Sequence, residues 1–252
     1  MSRSPLTPHG APPAYFTFPS LTEVGVVHVT TTRHCPGIGL ASARPSPFAG
    51  ESGDLLTQAG LAMDRVAWGW QVHGAAVAAV GAGGFAGHVD VLVTTVRDVP
   101  LAVFTADCLA VVLVDVEAPA LAIAHVGWRG TVRGAAQAAV AALRAAGARP
   151  ERIRAAISPS IGPCCYEVDA PVIDAFATAY PHRARSWMTP SRDAGHVMLD
   201  LWAANAVLLE EAGVDPVRIE NPRLCTSCHV DTLYSYRKGG KGRLATIAAL
   251  RS

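Results

Sequence analysis

The stretch that most constrains this chain runs from Leu101 to Val116, LAVFTADCLAVVLVDV. It is apolar almost throughout but carries Asp107 and Asp115. A membrane-spanning helix needs about 20 uninterrupted apolar residues, so two carboxylates inside the run exclude that reading. Valine-rich runs of this kind are expected of strands buried on both faces. We therefore expect two strands, 101–105 and 110–116, flanking the loop Ala106-Asp107-Cys108. Residues 117–120 supply a hairpin turn, and 121–125 a returning strand.

Around this centre, 24–33, 66–72, 75–80 and 89–95 read as further strands, with 152–157, 217–220 and 244–250 later in the chain. Helices are expected at 131–146, closed by Gly147, at 169–180 with Asp169 as cap, and at 200–212 between Asp200 and Gly213. A short helix fits 55–62. Residues 1–20 read as an irregular arm, and the Gly-, Pro- and Ser-rich 34–54 as a long loop. No linker or repeat divides the sequence. The expectation is one domain over 1–252, α+β (mixed α/β) in class, with mixed β-sheets flanked by helices.

Half of the 252 residues are hydrophobic, enough for a large core. Charged residues make up 16% and the formal net charge is +1, unlike the strongly basic balance of a generic nucleic-acid binder. The opening residues, MSRSPLTPHGAPPAYF, hold four prolines and no apolar run fit for a signal peptide. We expect a soluble, cytoplasmic protein that binds neither nucleic acid nor membrane. Its six cysteines then read as reduced thiols.

Three segments carry metal-capable side chains where an expected strand ends: Trp70-Gln71-Val72-His73-Gly74, Thr105-Ala106-Asp107-Cys108, and Ala124-His125-Val126-Gly127-Trp128-Arg129-Gly130. Strand ends are rigid and open onto loops, which suits a site. Imidazole and thiolate are zinc donors, and three protein ligands leave a fourth position for water or substrate. Spacing alone also allows a buried core thiol beside two hydrogen-bonded histidines. Arg129 and Arg133 flank a helix start whose free N–H groups attract anions, so phosphate or carboxylate could dock there. Ser158–Val168, with vicinal Cys164-Cys165, reads as a pocket-lining connection or as two buried thiols. Cys225-Thr226-Ser227-Cys228-His229 lacks a second pair of ligands for a metal of its own. No motif for an organic cofactor is found.

Taken together, QVHG at 71–74, TADC at 105–108, AHVGWRG at 124–130, IGPCCYEV at 161–168 and SYR…GR at 235–243 resemble the YfiH-like family. Its members are known as multicopper polyphenol oxidase or laccase-domain proteins, and also as purine nucleoside phosphorylases. The resemblance implies zinc, or copper, on His73, Cys108 and His125. It implies purine nucleosides and phosphate as substrates, with phosphorolysis and hydrolytic deamination of adenosine as reactions. On that reading Asp107 is the nearest candidate proton shuttle and Arg129 the phosphate holder. A multicopper oxidase needs several His-rich sites, and the sequence offers one. The remaining alternatives are a copper-dependent polyphenol oxidoreductase, a metal-free hydrolase linked to peptidoglycan editing with Cys108 as nucleophile, and a non-catalytic nucleoside-binding protein. The oligomeric state is left open.

Overall fold

The computed structural model describes residues 5–36, 47–48 and 50–251. Of the expected 34–54 loop, 37–46 and 49 lie outside the described residues.

In chain order the strands are β1 (Thr7–His9), β2 (Tyr15–Thr17), β3 (Val27–Thr31), β4 (Ala67–Trp68), β5 (Val77–Ala79), β6 (Gly84–Phe85), β7 (Val91–Thr94) and β8 (Leu101–Thr105). They continue with β9 (Leu109–Asp115), β10 (Ala120–Val126), β11 (Arg154–Ile157), β12 (Glu167–Val168), β13 (Met188–Pro190), β14 (Val197–Leu199), β15 (Ile219–Glu220) and β16 (Leu244–Ala249). The α-helices are α1 (Pro19–Glu23), α2 (Glu51–Gln58), α3 (Trp128–Val132), α4 (Ala135–Ala145), α5 (Ala170–Ala179) and α6 (Leu201–Glu211). Among the described residues one sheet has the order β1-β2-β3-β16-β8-β4-β6, and a second β15-β11-β9-β10-β7-β5. A small third sheet, β12-β14-β13, shares no strand pairing with either, though Val168 and Leu199 join the core beneath the second sheet.

The apolar run explains the layering. Successive side chains of a strand point to opposite faces. Ala110, Val112 and Val114 of β9 join Leu101 and Val103 of β8 in the core between the two large sheets. Leu109, Val111 and Leu113 turn to the other face and pack with Ala136, Val140 and Leu143 of α4 and Leu208 of α6. The outer face of the first sheet, with Val29, Ala102 and Ile247, is covered by Leu56 of α2 and by Leu61. Both faces of β9 and β10 are thus buried, as the sequence predicts. Their seven-residue antiparallel register, Ala120 opposite Asp115 through Val126 opposite Leu109, fixes the hairpin. The turn after β8 carries the chain from the first sheet to the second, so Asp107 and Cys108 stand where the sheets meet.

Three expectations need correction. Residues 1–4 of the expected irregular arm lie outside the described residues, and 5–20 are not irregular throughout: β1 and β2 pair with each other and β2 with β3, forming one edge of the first sheet. Pro8 is tolerated because an edge strand can leave one side unpaired, while Pro12 and Pro13 lie in the connection between the strands. The helix expected at 131–146 is two, α3 and α4, separated at Gly134, whose φ of +78° no continuous helix accommodates. The strand expected at 66–72 shrinks to β4, because 70–74 forms a loop held by side chains. Asp200 does cap its helix, accepting from Ala203 N at 2.9 Å, whereas Asp169 makes no side-chain cap bond. No helix of the described residues is long and apolar enough to cross a membrane.

Candidate metal centre

Three segments converge at the seam between the large sheets. Cys108 leads into β9, and His125 lies on β10 opposite Ala110. His73 projects from the loop after β4. The ligand atoms of His73, Cys108 and His125 all lie within 4.8 Å of one another. The two imidazole rings meet edge to face with centroids 4.8 Å apart. His73 (φ +57°) and Asp107 (φ +88°) both occupy backbone conformations that L-residues seldom adopt. Two such residues beside one cluster mark strain held in place by the surrounding structure.

Asp90, one residue before β7, organises the cluster and was not singled out by the sequence. Its Oδ1 accepts from His125 Nδ1 at 2.8 Å and from His73 N at 3.0 Å. Its Oδ2 accepts from Gly74 N at 2.7 Å and Val72 N at 3.2 Å. One buried carboxylate therefore fixes the ring of His125 and the backbone of the His73 loop. With Nδ1 engaged, Nε2 of His125 is left to face Cys108, the outer carboxylate–imidazole arrangement found behind metal ligands. Gln71 anchors the same loop, its amide exchanging two 2.7 Å hydrogen bonds with the backbone of Phe104.

Charge follows from these contacts. Burial pushes the Cys108 thiol up, but hydrogen bonds from His125 and His73 outweigh it and lower it from 9.0 to about 6. Burial pulls His125 down, but its bonds to Asp90 and Cys108 raise it from 6.5 to about 9. Burial also opposes ionisation of Asp90, yet His125 and the Gly74 N–H keep it below its ordinary value. These shifts favour a thiolate on Cys108 and an imidazolium on His125, with the Asp90 carboxylate behind them. Space is fitted as closely: a Cβ on Gly127 would lie 2.7 Å from Cys108 Sγ and 3.4 Å from His73 Cδ2.

The cluster forms one wall of a cavity of about 600 Å³. Trp70, Phe104 and Tyr236 give it aromatic surfaces, and Arg243 adds a guanidinium to its lining. Trp70 and Tyr236 are 48% and 72% exposed, so two ring faces are open to a ligand. Tyr236 and Arg243 belong to the SYR…GR segment noted in the sequence, to which no role was given there. The other two sequence candidates are placed differently. Asp107 Oδ1 accepts from Thr226 Oγ1 at 2.6 Å and Oδ2 from Arg237 N at 2.7 Å, so both oxygens are already engaged in holding the turn. Arg129 is exposed on α3, its guanidinium 4.3 Å from the Trp128 ring centroid, and does not line the cavity. Arg133 donates to His73 O at 2.8 Å.

A second convergence was missed. Cys225-x-x-Cys228 does have another pair of thiols beside it: the sulfurs of Cys164, Cys165, Cys225 and Cys228 lie within 4.8 Å of one another. Residue spacing could not reveal this, because a parallel bridge between Ser160 and Cys225 brings the two segments together.

Fold and cluster define a mixed α+β protein with a His₂Cys group, suited to a metal ion, set in the wall of a cavity. The family described as multi-copper polyphenol oxidoreductase laccase matches residues 49–251, and the chain belongs to it. A purine nucleoside phosphorylase of Deinococcus radiodurans is 38% identical over 239 residues, 90% of each protein. The adenosine deaminase RL5, from an unknown prokaryotic organism, is 38% identical over 152 residues, 60% of this chain and 58% of that protein. The crystal structure of YlmD from Geobacillus stearothermophilus superimposes with a TM-score of 0.83 at 28% identity, over 98% of this chain and all of that one. That likeness bears out the α+β class, and the family match bears out the resemblance drawn from the five motifs.

Proposed function

We propose that this protein is a zinc-dependent purine nucleoside phosphorylase that also deaminates adenosine. The observation that carries the reading is the placement of His73, Cys108 and His125 on the wall of a cavity that also presents Trp70, Tyr236 and Arg243. The names of two relatives, a phosphorylase and an adenosine deaminase, support nucleoside processing as the general activity.

The donor set fits zinc: two imidazoles and a thiolate already favoured in its charged form, with one imidazole oriented by Asp90. A zinc ion held by His73, Cys108 and His125 would supply Lewis acidity for the hydrolytic reaction. The chain's own residues do the rest. The exposed faces of Trp70 and Tyr236 stack the planar base, and the half-open cavity admits the ribose. Arg243 holds phosphate near the sugar, and Arg129 on its exposed helix turn adds positive potential outside the cavity. Asp107 positions Cys108 by tying the 106–108 turn to Thr226 and Arg237.

The test is product analysis of the purified protein with a panel of purine nucleosides, with and without phosphate and with and without a chelator. Phosphate-dependent release of free base, lost on chelation and restored by zinc, is the expected result. Absence of any nucleoside turnover by zinc-loaded protein would refute the reading. The thiolate–imidazolium pair also favours a second reading, in which Cys108 is a nucleophile and His125 its acid–base partner. Full activity in chelated, metal-free protein, with a covalent adduct on Cys108, would support that reading instead.

A further inference from the structure

We propose that Cys164, Cys165, Cys225 and Cys228 form a second metal site, a closed tetrathiolate that binds one structural zinc ion. This site is separate from the His73–Cys108–His125 cluster, and none of its four residues lines the cavity.

Geometry carries the proposal. Cys228 Sγ lies 3.5 Å from Cys164 Sγ and 3.5 Å from Cys165 Sγ, and all four sulfurs fall within 4.8 Å. Four sulfurs at about 2.3 Å from one tetrahedral zinc ion stand about 3.8 Å from each other, so the thiols already outline that shell. A disulfide fits the arrangement less well. Cys228 meets two partners at equal distance, and one bridge would leave the other two thiols unused. The donors are uniform, soft and four in number, which suits zinc and fills its coordination without an open position.

The backbone around the sulfurs is folded for the same purpose. Cys164 and Cys165 sit on a tight turn in which Cys165 N and Tyr166 N both donate to Gly162 O, at 3.0 and 2.9 Å. Cys225 and Cys228 bracket a second turn, closed by Cys228 N donating to Cys225 O at 3.2 Å. Gly162 N donates to Cys225 Sγ at 3.2 Å, the kind of outer hydrogen bond that stabilises a metal-bound thiolate. Cys225 is buried, while Cys164 and Cys228 are exposed, so an ion can enter from solvent. Ion binding releases the thiol protons to solvent and requires no oxidant.

Such a site would pin together turns that are remote in sequence and adjacent to the reaction site. Thr226, inside the Cys225–Cys228 turn, holds Asp107. Arg237, whose backbone holds the other Asp107 oxygen, also donates to Glu167 O at 2.9 Å, just past the Cys164–Cys165 turn. The zinc would therefore brace the wall behind Cys108.

The experiment uses Cys108→Ala to disable the first cluster and Cys164→Ser/Cys228→Ser to disable the second. Purified Cys108→Ala should retain one zinc per chain. Exchanged with cobalt(II), it should show the sulfur-to-cobalt charge-transfer absorption of a four-thiolate tetrahedral site. His73→Ala, altered at an exposed position, serves if Cys108→Ala does not fold. The double serine variant should lose that absorption and melt lower by on the order of 5–10 °C. The proposal is overturned if the first-cluster variants carry neither zinc nor the cobalt signal, or if peptide mapping recovers the four cysteines as disulfides. The cobalt readout does not involve nucleosides, so it stands or falls independently of the proposed activity.

Discussion

Five of the six cysteines contribute to two clusters, and the two are built in opposite ways. Cys108 stands among mixed donors at the ends of long, fully buried strands, with a buried carboxylate behind it and a cavity before it. The four thiols of the second cluster stand together on tight turns, two of them exposed and Cys225 buried, joined by a single β-bridge. A site with three donors and an open side can exchange water or substrate, whereas four equal donors close on an ion. On the proposed readings, chemistry belongs to the first cluster and bracing to the second. The contrast also shows that the number of cysteines matters less than what surrounds them.

Replacing Cys108 should break this contrast most severely. Cys108→Ala is expected to lose the ion held with His73 and His125, and phosphorolysis and deamination should fall together by more than about 100-fold, beyond the effect expected of an outer partner. Cys108→Asp or Cys108→His should recover part of the metal, since both are zinc donors. Metal analysis beside nucleoside turnover checks this, and full activity in a metal-free Cys108→Ala protein would falsify the assignment. Asp90→Asn comes next. It keeps the shape but weakens the acceptor for His125 Nδ1, and zinc affinity should drop by ~10–100-fold, read by chelator competition.

Protons provide a third test, of intermediate size. With Cys108 lowered to about 6 and His125 raised to about 9, the ion-free pair holds one proton between those values. A metal binds the deprotonated pair and displaces that proton. Affinity should therefore climb on the order of 10-fold per pH unit from about pH 6 to about pH 9 and flatten above. A pH-independent affinity across this window would contradict the ion pair. The smallest effects belong to the arginines. Arg243→Ala should raise the KM for phosphate by roughly 10-fold, as loss of one charged hydrogen bond implies. Arg129→Ala should change it only a few-fold, because its guanidinium lies on Trp128 in solvent. The reverse order would return the phosphate to α3.

The sequence was most informative where burial dictates it. β8 has the boundaries expected, β9 shifts by a residue and β10 extends by one at each end, because valine- and leucine-rich runs have few other fates. The His73, Cys108 and His125 segments were legible as strand ends bearing donors, and the structure brings them together. What escaped notice depends on contacts between distant segments. Asp90 looks like an ordinary strand-edge acid until β7 pairs with β10 and sets it beside His125. Cys164-Cys165 and Cys225-x-x-Cys228 each look incomplete until Ser160 meets Cys225. The β1–β2 hairpin was hidden by prolines, which mark turns and edges as readily as disorder.

The single carboxylate that accepts from Val72, His73 and Gly74 has a further consequence. It holds the left-handed backbone of His73 through backbone N–H groups rather than through any metal-ligating atom, so we expect the loop to keep its shape with or without metal. Loading should then proceed without a disorder-to-order step: crystals of stripped and reconstituted protein should superimpose in residues 70–74, and amide exchange there should be equally slow in both. In Asp90→Asn the two forms should diverge, the stripped loop becoming the more rapidly exchanging one. Asp90 would then serve as a template that keeps an empty site in its filled shape.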